Sequence, residues 1–236
     1  HARHGAACAP YRRAGRFAWH FARGKLGFDP VFRSLLERGD LKGGRVVDIG
    51  CGQGLLASLL QACGDAHAAG RWPAAWPAAP VASAYTGIEL MPRDVARAEA
   101  AVGALPLAPR FVCADMCSAA LPPCDVVVIL DVLHYVDHEA QAGVLRRVGE
   151  ALAPGGRLLL RVGDVARRRG FLASQWVDRI VTGVRGHRQP PTWGRSVGEW
   201  SALLVQFGFT VRAVPMSAGT PFANVLLVAD LPGGAA

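Results

Sequence analysis

The sequence has no apolar run long enough to cross a membrane, no paired-cysteine motif and almost no lysine. Its uninterrupted apolar runs are short, such as residues 126–130, whereas a membrane-spanning helix needs ~20 residues. The arginine-rich N-terminal region lacks a continuous apolar stretch, so no cleavable signal peptide is expected. Apolar residues still make up 51% of the 236 residues. The composition therefore excludes fibrous, disordered and membrane-spanning classes and predicts one large domain.

Cysteine usage argues against both a disulfide scaffold and a zinc site. The six cysteines stand at positions 8, 51, 63, 113, 117 and 124, and none forms a C-x-x-C pair. No histidine stands at zinc-ligand spacing from them. We therefore expect reduced, mostly buried thiols of a cytoplasmic protein, and we predict no metal site.

The net positive charge of the chain comes from two segments. The formal net charge is +8, with two lysines against 24 arginines. Residues 1–33 carry +6 and residues 161–195 carry another +6, so the remainder sums to −4. A basic chain raises the question of a nucleic-acid partner, and the answer depends on where these segments lie in the fold.

Glycine and proline separate short apolar runs from helical stretches, which is typical of an alternating α/β fold. Apolar strands without polar alternation indicate a parallel sheet with helices on both faces. We interpret the chain as five βα units and a closing hairpin, with ligands bound beyond the carboxyl ends of the strands. Strands are predicted at 45–49, 85–88, 110–113, 125–130, 157–162, 209–215 and 224–229, and helices at 55–63, 93–102 and 138–152.

A glycine-rich loop follows the first predicted strand. It reads Asp48-Ile49-Gly50-Cys51-Gly52-Gln53-Gly54 and opens directly into a helix. Its G-x-G-x-G spacing differs from the G-x-G-x-x-G of dinucleotide folds. An acid at the end of the strand would repel a pyrophosphate and attract an ammonium group. The loop therefore predicts a cationic ligand.

Acids also follow the next three strands. Glu89, before Leu90, follows the second strand, where an acid can accept both hydroxyls of a ribose. Asp115 stands beside Met116 after the third strand, where a carboxylate can accept from an adenine amino group. Asp131 follows the fourth strand. Four acids at four successive strand ends predict a nucleoside-type site.

With these motifs in view, residues 41–230 resemble a class I S-adenosylmethionine-dependent methyltransferase. The matching elements are VVDIGCGQG, the acids in GIEL and VCADM, CDVVVILDVLHYV and LAPGGRLLLRVGD. The resemblance implies a Rossmann-like seven-stranded sheet whose last strand is antiparallel, and S-adenosylmethionine as cofactor. It assigns the methionine part to Asp48, Gly50, Cys51, Gly52 and Gly54, the ribose to Glu89, and the adenine to Asp115 and Met116. Leu90 and Asp131 are also predicted to bind the cofactor. The Trp- and Pro-rich insertion at 64–83 departs from the family pattern.

The expected domain organisation has two parts. Residues 1–40 form an N-terminal helical cap or acceptor lid. Residues 41–236 form the cofactor-binding core, with a further lid segment at 164–200. Each basic segment thus falls in a part expected to border the acceptor.

Histidine is the usual base when a hydroxyl acceptor must lose its proton. His134 follows the fourth strand, beside the expected position of the methyl group, and is the predicted catalytic residue. Its alternative is a purely structural role. His187 and Asp164 are weaker candidates, and His138 is expected to be solvated at the start of a helix.

The run after the fourth strand also bears on the acceptor. Asp131-Val132-Leu133-His134 differs from the N/D-P-P-Y/F/W of DNA amino-methylating enzymes, and Pro123-Cys124 precedes the strand instead of following it. A small-molecule acceptor is therefore favoured over DNA.

Aromatic residues among the arginines suit an aromatic or polyene acceptor that bears a carboxylate or is attached to an acidic carrier protein. Including FARGKLGFDPVF and MSAGTPFANVLL, the chain is faintly similar to methyltransferases of bacterial aryl-polyene pigment pathways. In the second stretch, Thr220, Phe222 and Asn224 are candidate acceptor contacts or shape the hairpin turn.

Three other functions remain open at this point. An RNA methyltransferase would use the basic segments as one continuous nucleic-acid face. A nicotinamide-dependent (NAD(P)) Rossmann oxidoreductase is disfavoured by the glycine spacing. A non-catalytic partner that keeps the fold is disfavoured by the intact loop and the four acids.

Overall fold

The computed structural model describes residues 2–164, 193–216 and 224–234. These residues contain a seven-stranded sheet in the order β3-β2-β1-β4-β5-β7-β6. The strands are β1 (Gly44–Ile49), β2 (Ala82–Glu89), β3 (Arg110–Cys113), β4 (Cys124–Leu130), β5 (Leu152–Gly163), β6 (Thr210–Pro215) and β7 (Asn224–Asp230).

Only β7 runs against the others. It lies between β5 and β6 and pairs antiparallel with both, while every other pairing described is parallel. The predicted mostly parallel sheet, its antiparallel last strand and its closing hairpin are therefore confirmed. Because six strands run in one direction, their carboxyl ends share one edge of the sheet, which we call the carboxyl edge.

Seven α-helices lie within the described residues. Asp29 caps the helix that begins at Pro30 by accepting from the Val31 amide, and Asp137 caps the helix that begins at His138 by accepting from the Ala140 amide. None of the helices in the described part of the chain is long and apolar enough to cross a bilayer. The helices are α1 (Ala2–Cys8), α2 (Arg16–Phe28), α3 (Pro30–Glu37), α4 (Leu55–Ala68), α5 (Pro92–Val102), α6 (His138–Ala151) and α7 (Val197–Gln206).

Alternate residues of the central strands enter two separate cores. Val126 and Val128 of β4 pack with residues of α1–α5, whereas Val127 and Ile129 pack with residues of α6 and α7. Successive side chains of a strand point to opposite faces, so a strand buried on both sides must be apolar throughout. The helices thus cover both faces, as predicted.

The insertion predicted at residues 64–83 contains only a shorter loop. α4 continues to Ala68, and β2 begins at Ala82, so helix and strand take up both ends of the segment. The loop between them lies at the edge opposite the carboxyl edge: the Gly44 amide at the start of β1 donates to the Val81 carbonyl. This position follows from the chain path, because α4 leads away from the carboxyl edge and β2 returns to it. The insertion is therefore distant from the glycine loop.

The N-terminal helices follow the carboxyl edge. The Tyr11 hydroxyl donates to the Gln53 carbonyl in the glycine loop at 2.9 Å. The guanidinium of Arg97 on α5 lies over the Phe17 ring near the start of α2. At the other end of α2, Asp29 contacts Arg161 near the end of β5. α2 thus extends from the α5 side of the sheet to β5.

Candidate functional site

Strand order brings the four acids together in one row. The carboxyl ends of β3, β2, β1 and β4 are neighbours. Asp115, Glu89, Asp48 and Asp131 therefore follow one another along the carboxyl edge, in that order. A site that extends along this row faces the ends of four strands, which is the position expected for a nucleoside ligand in this type of sheet.

The glycine loop is anchored to β2 and closely packed on one side. The amides of Gly50 and Cys51 both donate to the Ile88 carbonyl, at 2.8 and 3.2 Å. Gly50 has φ 76°, and a Cβ there would lie 2.5 Å from a methyl carbon of Val132. Gly52 has φ 54°, but a Cβ there would meet no described atom within 4 Å. The loop thus leaves open space at Gly52, where a ligand can approach the backbone.

Asp48 is buried near the end of β1. One carboxylate oxygen accepts from the Tyr85 hydroxyl at 2.7 Å. Burial raises the pKa of Asp48 to about 7, the Tyr85 hydrogen bond opposes that rise, and the charge of Glu89 adds to it. A buried acid that titrates near neutrality gains from a cationic ligand, because the cation favours the ionised form.

Glu89 joins the glycine loop to the end of β2. Its Oε2 accepts from the Gly52 amide and its Oε1 from the Met91 amide, both at 2.9 Å. Two amides hold the carboxylate in one orientation, beside the glycine loop. Leu90, the next residue, is 61% exposed and offers an apolar surface beside it.

The end of β3 carries the residues predicted to bind adenine. Asp115 is exposed and accepts from the Cys117 amide at 2.8 Å. Met116 is half-buried, and its carbonyl accepts from Arg147, which also donates to the Ala119 carbonyl. Arg147 of α6 thus fixes the backbone around Met116.

Asp131 is already engaged by a protein cation. Its Oδ1 accepts from Arg161 Nε at 2.8 Å, and its Oδ2 also contacts the same guanidinium. Lys25 Nζ lies 3.8 Å from Oδ2. Asp131 therefore contributes mainly an internal ion pair to this end of the site, and a direct cofactor contact stays a prediction.

His134 lies in a 3-10 turn, Leu133–Tyr135, directly after β4. The residue is half-buried, its Nε2 is shielded from solvent, and its ring packs against Tyr135, with centroids 4.2 Å apart. Burial lowers the pKa of His134 despite the nearby charge of Asp131. The imidazole is therefore neutral at neutral pH, which is the form that accepts a proton.

The main chain of an aromatic residue, Trp193, is held next to His134. The Trp193 amide donates to the His134 carbonyl at 2.8 Å, and the buried Gln141 amide group donates to the Trp193 carbonyl at 2.8 Å. The Trp193 side chain is 42% exposed. The main chain of Trp193 is thus fixed beside His134, while its indole packs against the His138 ring, with centroids 5.5 Å apart.

The remaining sequence candidates are partly described. His138 is exposed in the first turn of α6, as expected, and its Nε2 lies 3.3 Å from the Gly194 carbonyl. Asp164 follows β5, and Asn224 pairs with Gly163 at the carboxyl edge. His187, Thr220, Phe222 and most of the predicted lid segment 164–200 lie outside the described residues.

Three contributors to this site were missed at the sequence level. Tyr11 and Tyr85 carried no recognisable signal, since their roles depend on contacts between distant segments. Arg161 did carry one: it interrupts the apolar residues of β5, and a charge in a strand covered on both faces must be paired. Its partners, however, are not evident from the sequence.

The residues present fit a nucleoside-sulfonium cofactor. The site offers open backbone at Gly52, a buried acid at Asp48 that favours a cation, and a carboxylate at Glu89 fixed towards the loop. Among the described residues, no group of three or more His, Cys, Asp or Glu side chains is arranged to hold a metal ion.

The sequence model of a family described as a methyltransferase domain matches residues 18–214. That range includes the glycine loop, the four acids and His134. The chain therefore belongs to this family, as a class I S-adenosylmethionine-dependent methyltransferase with S-adenosylmethionine as its cofactor. The assignment excludes the oxidoreductase alternative.

Solved structures share the fold at low sequence identity. An O-methyltransferase family protein from Burkholderia thailandensis is 18% identical, with TM-score 0.64 over 95% of this chain and 63% of that chain. Magnesium protoporphyrin IX methyltransferase from Synechocystis PCC 6803, with bound SAH, is 20% identical, with TM-score 0.59 over 94% and 93%. Human N-acetylserotonin methyltransferase, in complex with SAM, is 19% identical, with TM-score 0.62 over 96% and 59%. The chain thus spans about three fifths of the first and third proteins, and no curated sequence matches it significantly.

Proposed function

We propose that this chain transfers the methyl group of S-adenosylmethionine to a small organic acceptor, with His134 as the general base when the acceptor is a hydroxyl. The observation that carries the proposal is the position of the His134 turn. Val132, two residues earlier, packs against Gly50 of the glycine loop. The turn that carries His134, whose pKa is lowered by burial, therefore begins beside the loop proposed to hold the methionine end of the cofactor.

The cofactor supplies a methyl group already activated on a sulfonium. Asp48 and the Gly50–Gly54 backbone are proposed to hold its methionine end, Glu89 its ribose, and Asp115 with Met116 its adenine. The chain must then align the acceptor and exclude water. His134 takes the proton of the acceptor hydroxyl as its oxygen becomes the nucleophile.

Basic and aromatic residues of α2 support an anionic aromatic or polyene acceptor. Phe28 is 86% exposed and Phe17 is 45% exposed. The guanidinium groups of Arg12 and Arg23 both lie over the Trp19 ring. We propose that residues 1–40 form the acceptor lid. The surplus of arginine also suits an acceptor delivered on an acidic carrier protein, and a role in a pigment pathway remains a prediction.

The test is a labelling experiment. The chain is incubated with S-adenosylmethionine labelled in its methyl group and a host-cell extract, and label is followed into organic-soluble molecules, protein and RNA. We expect label in the organic phase, or label released from protein by mild base. Label in RNA would establish the RNA methyltransferase alternative and refute the small-molecule proposal.

A matched pair of variants tests the base in the same assay. His134→Ala removes the proposed base, whereas His67→Ala removes an exposed histidine in the last turn of α4, away from the carboxyl edge. We expect transfer to fall only in His134→Ala. Equal transfer by both variants would mean that His134 is structural.

A further inference from the structure

Arg161 links two distant parts of the carboxyl edge. Its side chain is 3% exposed, and its guanidinium binds two carboxylates. Nη1 and Nη2 donate to Asp29 at 2.5 and 2.8 Å, while Nε donates to Asp131 at 2.8 Å and Nη2 contacts the other Asp131 oxygen. The planar fork of arginine suits such paired contacts, which a lysine cannot reproduce.

On one side, Arg161 holds a backbone turn with an unfavourable conformation. Asp131 has φ 61°, and it is one of two non-glycine residues with positive φ in the described part of the chain. Such a conformation is strained for a residue that carries a side chain. The Asp131 amide donates to the Arg161 carbonyl at 3.3 Å, so Arg161 holds this residue through both main chain and side chain.

That turn determines where two functional features lie. Val132 follows Asp131 and packs against Gly50, and the 3-10 turn that contains His134 begins at the next residue. A change in the backbone at Asp131 therefore moves both the wall of the glycine loop and the predicted base.

On the other side, Arg161 holds the N-terminal helices. Asp29 caps α3 and also accepts from Lys25 Nζ at 2.9 Å. Burial alone would raise the pKa of Asp29, but Arg161 and Lys25 outweigh it and hold that pKa well below its usual range. The four side chains Lys25, Asp29, Asp131 and Arg161 sum to zero charge, so the buried guanidinium is fully compensated.

We infer that Arg161 is a positioning residue for methyl transfer, which fixes the His134 turn against the N-terminal helices so that base and acceptor lid keep one relative placement. This inference deepens the proposed function and rests on it. It predicts that losing the bidentate fork lowers the rate of transfer more than it weakens cofactor binding. Asp48 and Glu89 are on β1 and β2, whereas Arg161 reaches the glycine loop only through Asp131 and Val132.

Arg161→Lys is the informative variant, since it keeps the charge and loses the fork. Arg157→Lys is its control: Arg157 is on the same strand and also makes a bidentate pair, with Asp230, but at the opposite edge of the sheet. Asp29→Asn is a milder second variant that leaves the Arg161–Asp131 pair in place.

The assay is transfer of labelled methyl groups to the organic-soluble product of the extract, with S-adenosylmethionine varied. We expect Arg161→Lys to lower the apparent kcat at least tenfold with KM for S-adenosylmethionine changed less than threefold. Asp29→Asn should show a smaller loss of kcat, and Arg157→Lys should keep the wild-type rate. Hydrogen exchange in peptides that cover 131–136 and 25–31 should rise in Arg161→Lys and stay at the wild-type level in Arg157→Lys.

The inference is overturned if Arg161→Lys keeps both the wild-type rate and the wild-type hydrogen exchange. It is also overturned if Arg157→Lys loses as much kcat as Arg161→Lys when the two variants show the same loss of melting temperature. A parallel rise in KM and in the Kd of S-adenosylhomocysteine would make Arg161 a cofactor-binding residue instead. Failure of the proposed function looks different, because the wild-type chain itself would then give no organic-soluble label. In that case the exchange measurement alone decides whether Arg161 fixes the two segments.

Discussion

The Tyr85 hydroxyl donates to the Asp48 carboxylate at 2.7 Å, and both side chains are buried between β1 and β2. This hydrogen bond stabilises the ionised acid, whereas burial opposes ionisation and raises the pKa of Asp48 to about 7. The balance between the two makes Asp48 sensitive to pH near neutrality and to any cation that binds beside it.

Cofactor affinity should therefore depend on pH. A cationic ammonium group binds the ionised form of Asp48, so the affinity for S-adenosylhomocysteine should rise with pH through about 7 and then level off. Tyr85→Phe removes the hydrogen bond that favours ionisation and should shift this rise to higher pH. Calorimetry between pH 6 and 8.5 measures both, and an affinity independent of pH would remove Asp48 from the ammonium site.

The same acid affects the stability of the ligand-free protein. Its folded pKa of about 7 lies above the usual value, so the folded state holds a proton that the unfolded state releases. This contribution to stability is present at low pH and is lost as pH rises towards 7. Compared with Asp48→Asn, the wild type should lose more unfolding free energy between pH 5 and 8 in denaturant titrations. Equal pH dependence in both would contradict the raised pKa.

Glu89→Ala should weaken cofactor binding by roughly 1–3 kcal/mol, the cost of leaving buried polar groups unpaired. The change removes the proposed ribose contact and also the acceptor for the Gly52 amide. Glu150→Ala, on the exposed face of α6, is the control. Calorimetry with S-adenosylhomocysteine tests the pair, and unchanged affinity in Glu89→Ala would refute the assignment.

Two glycines of the same loop should respond differently to alanine. Both have positive φ, so both variants carry backbone strain. Gly50→Ala also collides with Val132 and should lower the melting temperature more. Gly52→Ala meets no described atom, so its main effect should be a lower affinity for S-adenosylhomocysteine. Normal affinity in Gly52→Ala would show that the ligand does not approach this backbone.

His134→Ala should lower turnover ~10²-fold or more for a hydroxyl acceptor, because the proton then lacks a positioned base. The affinity for S-adenosylhomocysteine should stay close to that of the wild type. A rate that falls together with affinity would indicate that the ring supports the cofactor site instead of the proton transfer.

The strand ends were predictable because a parallel sheet collects the carboxyl ends of its strands at one edge. Glu89 and Asp48 could thus be grouped from sequence, although 41 positions separate them. Arg161 shows the limit of this reasoning: its neighbours come from the end of β4 and from the start of α3, and only packing decides which acids reach it. The insertion shows another limit, since a loop's length does not reveal which edge it joins.

Because the insertion lies opposite the carboxyl edge, its length does not affect the arrangement of the site residues. The Trp72 and Trp76 rings contact each other there, and Pro77 of the same loop packs against Gly39 before β1. The chain can therefore gain or lose residues at this edge without changing the positions of Asp48, Glu89 and His134 relative to one another at the carboxyl edge. Length variation in the segment and chemistry at the strand ends can evolve independently.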